Sequence, residues 1–274
     1  LNLNATPFTK TDDSWTTYTS SNSSLSNNVI HKILVDGQGV IWIATQSGLN
    51  AYSNGTWTTY FSTDGLASNN VTNLLAVDNL LWVGTKNGIS VLSGSDTAHN
   101  KTDDQWMTYN QSNSGLVDND TAGLAIDGNG RIWISTDQTN NNGEAGAGVS
   151  VLDSAGTPLN RLDDSWKTFT TVSGLADNAV RTLATLADNG VWFGTQAGLS
   201  HLNYGSSPYN ASDDRWITHT STNQLAGSSV YTLAEADIHK TWFGTDQGVS
   251  LLNDAATPHA KQDDSWVNYT ATDG

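Results

Sequence analysis

Short runs of alternating apolar and polar residues recur along the whole chain, and no stretch of useful length carries the 3.6-residue period of a helix. One stretch shows the pattern. VTNLLAV (Val71–Val77) is an apolar mixed run. LWVGT (Leu81–Thr85) follows after a tight turn, then GISVL (Gly88–Leu92) after a glycine turn, and a W-x-x-Y-T phrase closes the unit. Each run is short, rich in Val, Ile, Trp, Thr and Tyr, and bounded by Gly, Asn, Asp and Ser. Period-two alternation buries one face of a strand, so each unit predicts four short strands. Asp36-Gly37, Asp127-Gly128 and Asn189-Gly190 are the turn formers after the first strand.

The unit repeats. W-x-x-Y/F/H-T occurs at Trp15, Trp57, Trp106, Trp166, Trp216 and Trp266, and W-x-G/A/S-T at Trp42, Trp82, Trp133, Trp192 and Trp242. All 11 tryptophans fall in these two phrases. Four strands per repeat of roughly fifty residues predict a β-propeller of four-stranded antiparallel blades. One blade cannot cover its own two faces, so neighbours must stack, and that assigns the tryptophans to packing between blades.

Five complete units are expected, at about 26–60, 68–109, 117–169, 177–219 and 227–269. Residues 1–19 match the end of the fifth unit, LLNDAATPHAKQDDSWVNYT, and read as the outer two strands of a further blade. The whole of 1–274 is thus expected to be a single propeller. The N-terminal half blade leaves three readings: a piece of a longer array, a closed five-bladed ring with an accessory hairpin, or an open edge that pairs with another copy.

The unit W-x-x-Y-T…G-L-x-x-N-x-V…L-x-x-D-x-x-G-x-x-W-x-G-T…G-L/V-S-x-L, quoted best from Trp57 to Leu92, resembles the two-component regulator propeller repeat. The resemblance implies an extracytoplasmic propeller, often of seven blades. Such propellers serve as sensors ahead of a membrane span and histidine kinase, or as parts of secreted proteins. This chain is read as lacking both the span and the kinase segment. The W-x-G-T phrase also resembles lyase-type propellers such as the streptogramin lyases, at the level of fold.

Charge narrows the partners. Lys+Arg is 11 against Asp+Glu 27, a formal net charge of −16. Nucleic acids and anionic lipids need clustered basic residues, so neither is an expected partner. No apolar run is long enough to span a bilayer, and LNLNATPFTK has neither the basic start nor the apolar core of a signal peptide. There are no cysteines, hence no disulfide or thiolate metal site, which is compatible with a secreted, periplasmic or cell-surface protein.

No nucleophile elbow, zinc helix or phosphate loop is present, and the expectation is a non-enzyme. Asp-Asp pairs precede the outer tryptophans at Asp12-Asp13, Asp103-Asp104, Asp163-Asp164, Asp213-Asp214 and Asp263-Asp264. Carboxylates in loops suit calcium, and they also suit turns that cap backbone N–H groups. Departures from the repeat are the better guide to a ligand site. The position after the inner-strand Val reads Ile30, Thr72, Arg181 and Tyr231, with Thr121 nearest in the third unit, so Arg181 and Tyr231 are candidate residues at a channel mouth. His31 lies on an inner strand. Asp118, Asp120 and Glu144, the last in the long insertion Asp137–Gly148, are expected near the same face. The expected function is binding or scaffolding, with a glycan, a peptide or a protein as ligand. The alternatives are a self-assembling filament subunit that uses the half blade, and a propeller lyase or hydrolase.

Overall fold

The computed structural model describes residues 14–94, 100–137, 146–186, 190–237, 239–254 and 264–273. It is all-β. Among the described residues twenty strands form five four-stranded antiparallel sheets, each in simple up-and-down order, with one 3-10 turn at Arg161–Asp163. Blade 1 holds β1 (Ile30–Val35), β2 (Ile41–Thr45), β3 (Gly48–Ser53) and β4 (Thr56–Tyr60). Blade 2 holds β5 (Val71–Val77), β6 (Leu80–Thr85), β7 (Gly88–Ser93) and β8 (Gln105–Tyr109). Blade 3 holds β9 (Thr121–Ile126), β10 (Ile132–Thr136), β11 (Val149–Asp153) and β12 (Ser165–Phe169). Blade 4 holds β13 (Val180–Thr185), β14 (Gly190–Thr195), β15 (Gly198–Asn203) and β16 (Arg215–His219). Blade 5 holds β17 (Val230–Asp237), β18 (Lys240–Thr245), β19 (Gly248–Asn253) and β20 (Ser265–Tyr269).

Each residue of the repeat has a physical task. The Trp of the second strand is buried between blades, at Trp42, Trp82, Trp133 and Trp192. The turn aspartate secures it: Asp36 Oδ2 accepts the Trp42 indole N–H at 2.7 Å, and Asp127 Oδ2 that of Trp133 at 3.0 Å. The glycine of W-x-G-T gives the next blade room to approach, since a Cβ on Gly84 would stand 2.8 Å from Thr121 Oγ1. The threonine closes the following turn, as Thr85 Oγ1 donates to Gly88 O at 2.7 Å. The buried serine of the third strand accepts a backbone N–H from the loop that enters its own blade, Ser90 from Ala67 and Ser200 from Ala176. Burying these polar groups without such partners would cost free energy, so the motif is the hydrogen-bond scheme of the blade.

The outer tryptophan packs on the preceding blade. Trp106 lies 5.8 Å from Tyr60, Trp166 5.7 Å from Tyr109, and Trp216 5.9 Å from Phe169, all edge-on or tilted as the ring quadrupoles favour. Tyr18 stands against Trp57 in the same way, at 5.4 Å. The segment entering blade 1 thus sets Tyr18 where a preceding blade would set its outer aromatic, while residues 1–13 of the expected half blade lie outside the described residues.

The first strands stand in a row, β1 on β5, β5 on β9, β9 on β13 and β13 on β17. The row does not close. Ile33 and Val35 of β1 are 58% and 62% exposed, and Val267 and Tyr269 of β20 are each 48% exposed. Among the described residues the first and last blades do not cover each other, so the closed five-bladed ring is not the arrangement adopted.

Candidate functional site

Every first strand carries a β-bulge near its start. The register skips one residue between Ile30 and Lys32, Val71 and Asn73, Thr121 and Gly123, Val180 and Thr182, and Val230 and Thr232. The skipped residues are His31, Thr72, Ala122, Arg181 and Tyr231. A bulged residue falls outside the ladder alternation, so its side chain is re-aimed without disturbing the pairing. This corrects the alignment by sequence. His31, not Ile30, is the counterpart of Arg181, and Ala122, not Thr121, represents blade 3. The slip arises because blade 1 carries Ile30 where blades 2, 4 and 5 carry Val71, Val180 and Val230, so alignment on the valine settles on Val29, one residue too early.

The bulged side chains reach across the blade junctions at one end of the row. His31 Nδ1 lies 2.7 Å from Val71 O of blade 2. Thr72 Oγ1 lies 3.4 Å from Thr121 Oγ1 of blade 3. The Arg181 guanidinium stacks 4.7 Å above the Tyr231 ring of blade 5. On its other side Arg181 Nε sits 3.6 Å from Asp137 Oδ2 of blade 3. Three blades thus contribute to one cluster, with Tyr231 53% exposed.

A second variable position adjoins it, directly after the threonine of W-x-G-T: Gln46, Lys86, Asp137, Gln196 and Asp246. Lys86 Nζ donates to Asp120 Oδ2 at 2.7 Å. Burial raises the Asp120 pKa; the Lys86 partner opposes that, and the Asp118 and Asp137 charges add to it. The rim therefore reads Lys86, Asp120, Asp137, Arg181, Tyr231, charges alternating in sign along neighbouring blades. Asp118 plays a different part. Its Oδ1 accepts the Asp120 N–H at 2.8 Å, closing an Asx turn that Asp177 repeats with Ala179. Glu144 lies outside the described residues. Asp137 and Lys86 escaped the reading by motif, although the column after W-x-G-T carried the signal.

The Asp-Asp pairs divide their labour. The first carboxylate closes the loop: Asp163 Oδ2 accepts from Thr157 Oγ1 at 2.6 Å, and Asp213 Oδ2 from Ser206 N and Oγ at 3.0 and 2.8 Å. The second faces the preceding blade. Burial lifts the Asp104 pKa to about 6, with the Asp103 charge adding and Lys101 opposing. Asp164 and Asp214 are raised in the same sense, again by burial first. Asp263 lies outside the described residues, and Asp264 opens the segment leading into β20. Among the described residues no three His, Cys, Asp or Glu side chains converge.

A family model described as Two component regulator propeller matches residues 24–47, which span the entry loop, β1 and β2 of blade 1. Residues 24–47 thus match one copy of that repeat. The propeller fold recurs in solved structures. The extracellular domain of a protein named as a hybrid two component system of B. thetaiotaomicron is 19% identical, with a TM-score of 0.68, over 92% of this chain and 30% of that one. A second such domain from the same organism is 18% identical, with a TM-score of 0.65, over 91% of this chain and 31% of that one. PorZ, a surface component of the type-IX secretion system of Porphyromonas gingivalis, is 16% identical, with a TM-score of 0.63, over 82% of this chain and 32% of that one. The chain thus spans about a third of the length of these proteins. No curated protein matches it. Among the described residues no helix is long and apolar enough to cross a membrane.

Proposed function

We propose that this chain is a non-catalytic binding propeller working outside the cytoplasm, secreted or at the cell surface, and that its ligand docks on the rim formed by Asp137, Arg181 and Tyr231. The observation that carries the proposal is the Arg181 guanidinium held between the Tyr231 ring and the Asp137 carboxylate, at a bulge position that is Thr72 in blade 2 and Ala122 in blade 3. A half-exposed aromatic ring beside a guanidinium fork and carboxylates suits a polar ligand, either a glycan or an acidic segment of a peptide or protein. The extracellular and surface setting of the similar propellers supports the location.

The test is a screen of soluble oligosaccharides and acidic peptides by titration calorimetry. Any ligand of this site should bind Arg181→Ala and Tyr231→Ala about tenfold or more weakly, since a charged hydrogen bond or an aromatic stack is removed. Ligands that bind the double variant as they bind the parent protein would remove the rim from consideration.

The uncovered faces of blades 1 and 5 favour a second reading, in which a second copy stacks on them. Light scattering across a concentration series decides it: growing assemblies support self-association, and a constant mass near 29.2 kDa refutes it.

A further inference from the structure

Among the described residues two blade junctions carry a cation at their outer edge, Lys101 and Arg161, and a third lacks it. Between blades 1 and 2, Lys101 Nζ donates to Thr59 O at 2.6 Å, pairs with Asp64 Oδ1 at 2.9 Å and lies 4.7 Å from the Tyr60 ring centroid. Its charge also opposes the upward shift of Asp104. Between blades 2 and 3, Arg161 holds the same place in the repeat, and its charge lowers the pKa of both Tyr109 and Asp164. Between blades 3 and 4 the residue is Ala211.

The missing side chain leaves a cavity of about 430 Å³ bounded by Phe169, Ser173, Ala211, Asp214 and Trp216. Phe169 is the counterpart of Tyr60, Asp214 of Asp104 and Trp216 of Trp106. Asp214 Oδ1 is buried with no hydrogen-bond partner among the described residues. Lys167 stands on the wall of the cavity, beyond ion-pair distance of any described carboxylate, and its charge opposes the upward shift that burial and Asp213 give Asp214. Val172 at the mouth is 97% exposed, whereas the same place in blade 1 is Thr63.

We propose that this cavity seats a lysine side chain supplied by a partner protein or peptide, at the place in the repeat that Lys101 holds between blades 1 and 2, with Asp214 as its acceptor where Lys101 uses Asp64, since the counterpart of Asp64 here is Ser173. The aliphatic arm would lie along Phe169, the ammonium would reach Asp214, and Val172 would meet an apolar residue of the partner. A ring face and an unpaired carboxylate both favour a cation. The strongly acidic chain attracts basic partners.

The test is an NMR titration of the whole chain with Nα-acetyl-lysine amide, and with the uncharged Nα-acetyl-norleucine amide as its match in shape. Saturable shifts around Ala211 and Asp214 are expected with lysine only, in the millimolar range that one cation and one ring support. Ala211→Lys supplies the chain's own ammonium at an exposed position and should abolish those shifts. Asp214→Asn should weaken binding about tenfold or more. Equal binding of norleucine amide, parent-like binding by Ala211→Lys, or no saturable shift at tens of millimolar overturns the proposal. Binding of arginine amide but not lysine amide overturns the lysine assignment.

Discussion

The junction between blades 3 and 4 holds a buried charge network whose removal has a calculable cost. Asp127 Oδ2 accepts from Arg131 Nε at 2.8 Å, from Trp133 Nε1 at 3.0 Å and from the Tyr204 hydroxyl at 3.1 Å. Arg131 also donates to the Tyr204 hydroxyl at 3.0 Å and stacks 4.8 Å over its ring. The Arg131 and Asp127 side chains are 6% and 1% exposed. In Asp127→Ala the guanidinium stays buried without its counter-charge, and breaking such a pair costs about 3–5 kcal/mol. Two neutral donors are orphaned as well, at about 1 kcal/mol or more each where water cannot reach. The sum, about 5 kcal/mol, corresponds to a fall in melting temperature on the order of 10 °C for a chain of this size. Thermal unfolding followed by circular dichroism measures it. Asp127→Ala/Arg131→Met removes both charges and should recover part of the loss, because an apolar pair of similar volume is tolerated where a lone charge is not. The pH dependence provides a separate check. Burial pushes the Asp127 pKa upward, but the Trp133, Arg131 and backbone donors outweigh it and hold the pKa below its ordinary value. The carboxylate therefore contributes stability above the ordinary carboxylate range and loses it as pH falls through the lowered value, so parent and variant converge in acid. A loss under about 1 kcal/mol at neutral pH, or a double variant as weak as the sum of its parts, would refute the reasoning.

Two further outcomes are expected. Gly174 has φ +134, and a Cβ there would stand 2.5 Å from Trp216 Cγ; Gly174→Ala should cost about 3 kcal/mol through strain and crowding together, measurable by urea unfolding, and a neutral result would show that the outer tryptophan can move aside. Burial lifts Asp104 from its ordinary 3.8 to about 6, so the folded state holds this proton longer than the unfolded chain and stability is lost as pH rises through that window; Asp104→Asn should gain on the parent protein between about pH 4 and 6 and keep the gain above it, and parallel pH profiles would contradict this.

The scaffold was legible because it is written five times. Tryptophan and threonine recur at one spacing in every blade, with the glycine in three and the turn aspartate six places earlier in two, and each proved to be one contact of the blade: an indole on Asp36, a Cβ that Gly84 must lack, a hydroxyl on Gly88 O. The rim was half legible. Arg181 and Tyr231 stood out as departures from the repeat, and they meet across a junction. Asp137 did not stand out, because its neighbour is a matter of ring geometry and not of sequence distance. Ile30 was read in the place of His31, since Val29 mimics the valine that precedes the bulge in other blades and only pairing reveals the bulge. The Asp-Asp pairs looked uniform in sequence, but adjacent carboxylates point to different surroundings, one into its own loop and one toward the preceding blade.

The bulge at the head of each first strand has a consequence for how such a molecule can change. A residue outside the ladder register has no partner in the sheet to satisfy and no fixed face to occupy. His, Thr, Ala, Arg and Tyr all fit there without altering the strand around them. The propeller thus behaves as a printing frame with one movable letter per blade. Recognition can be rewritten one letter at a time, and neighbouring letters read together because adjacent blades bring them into contact.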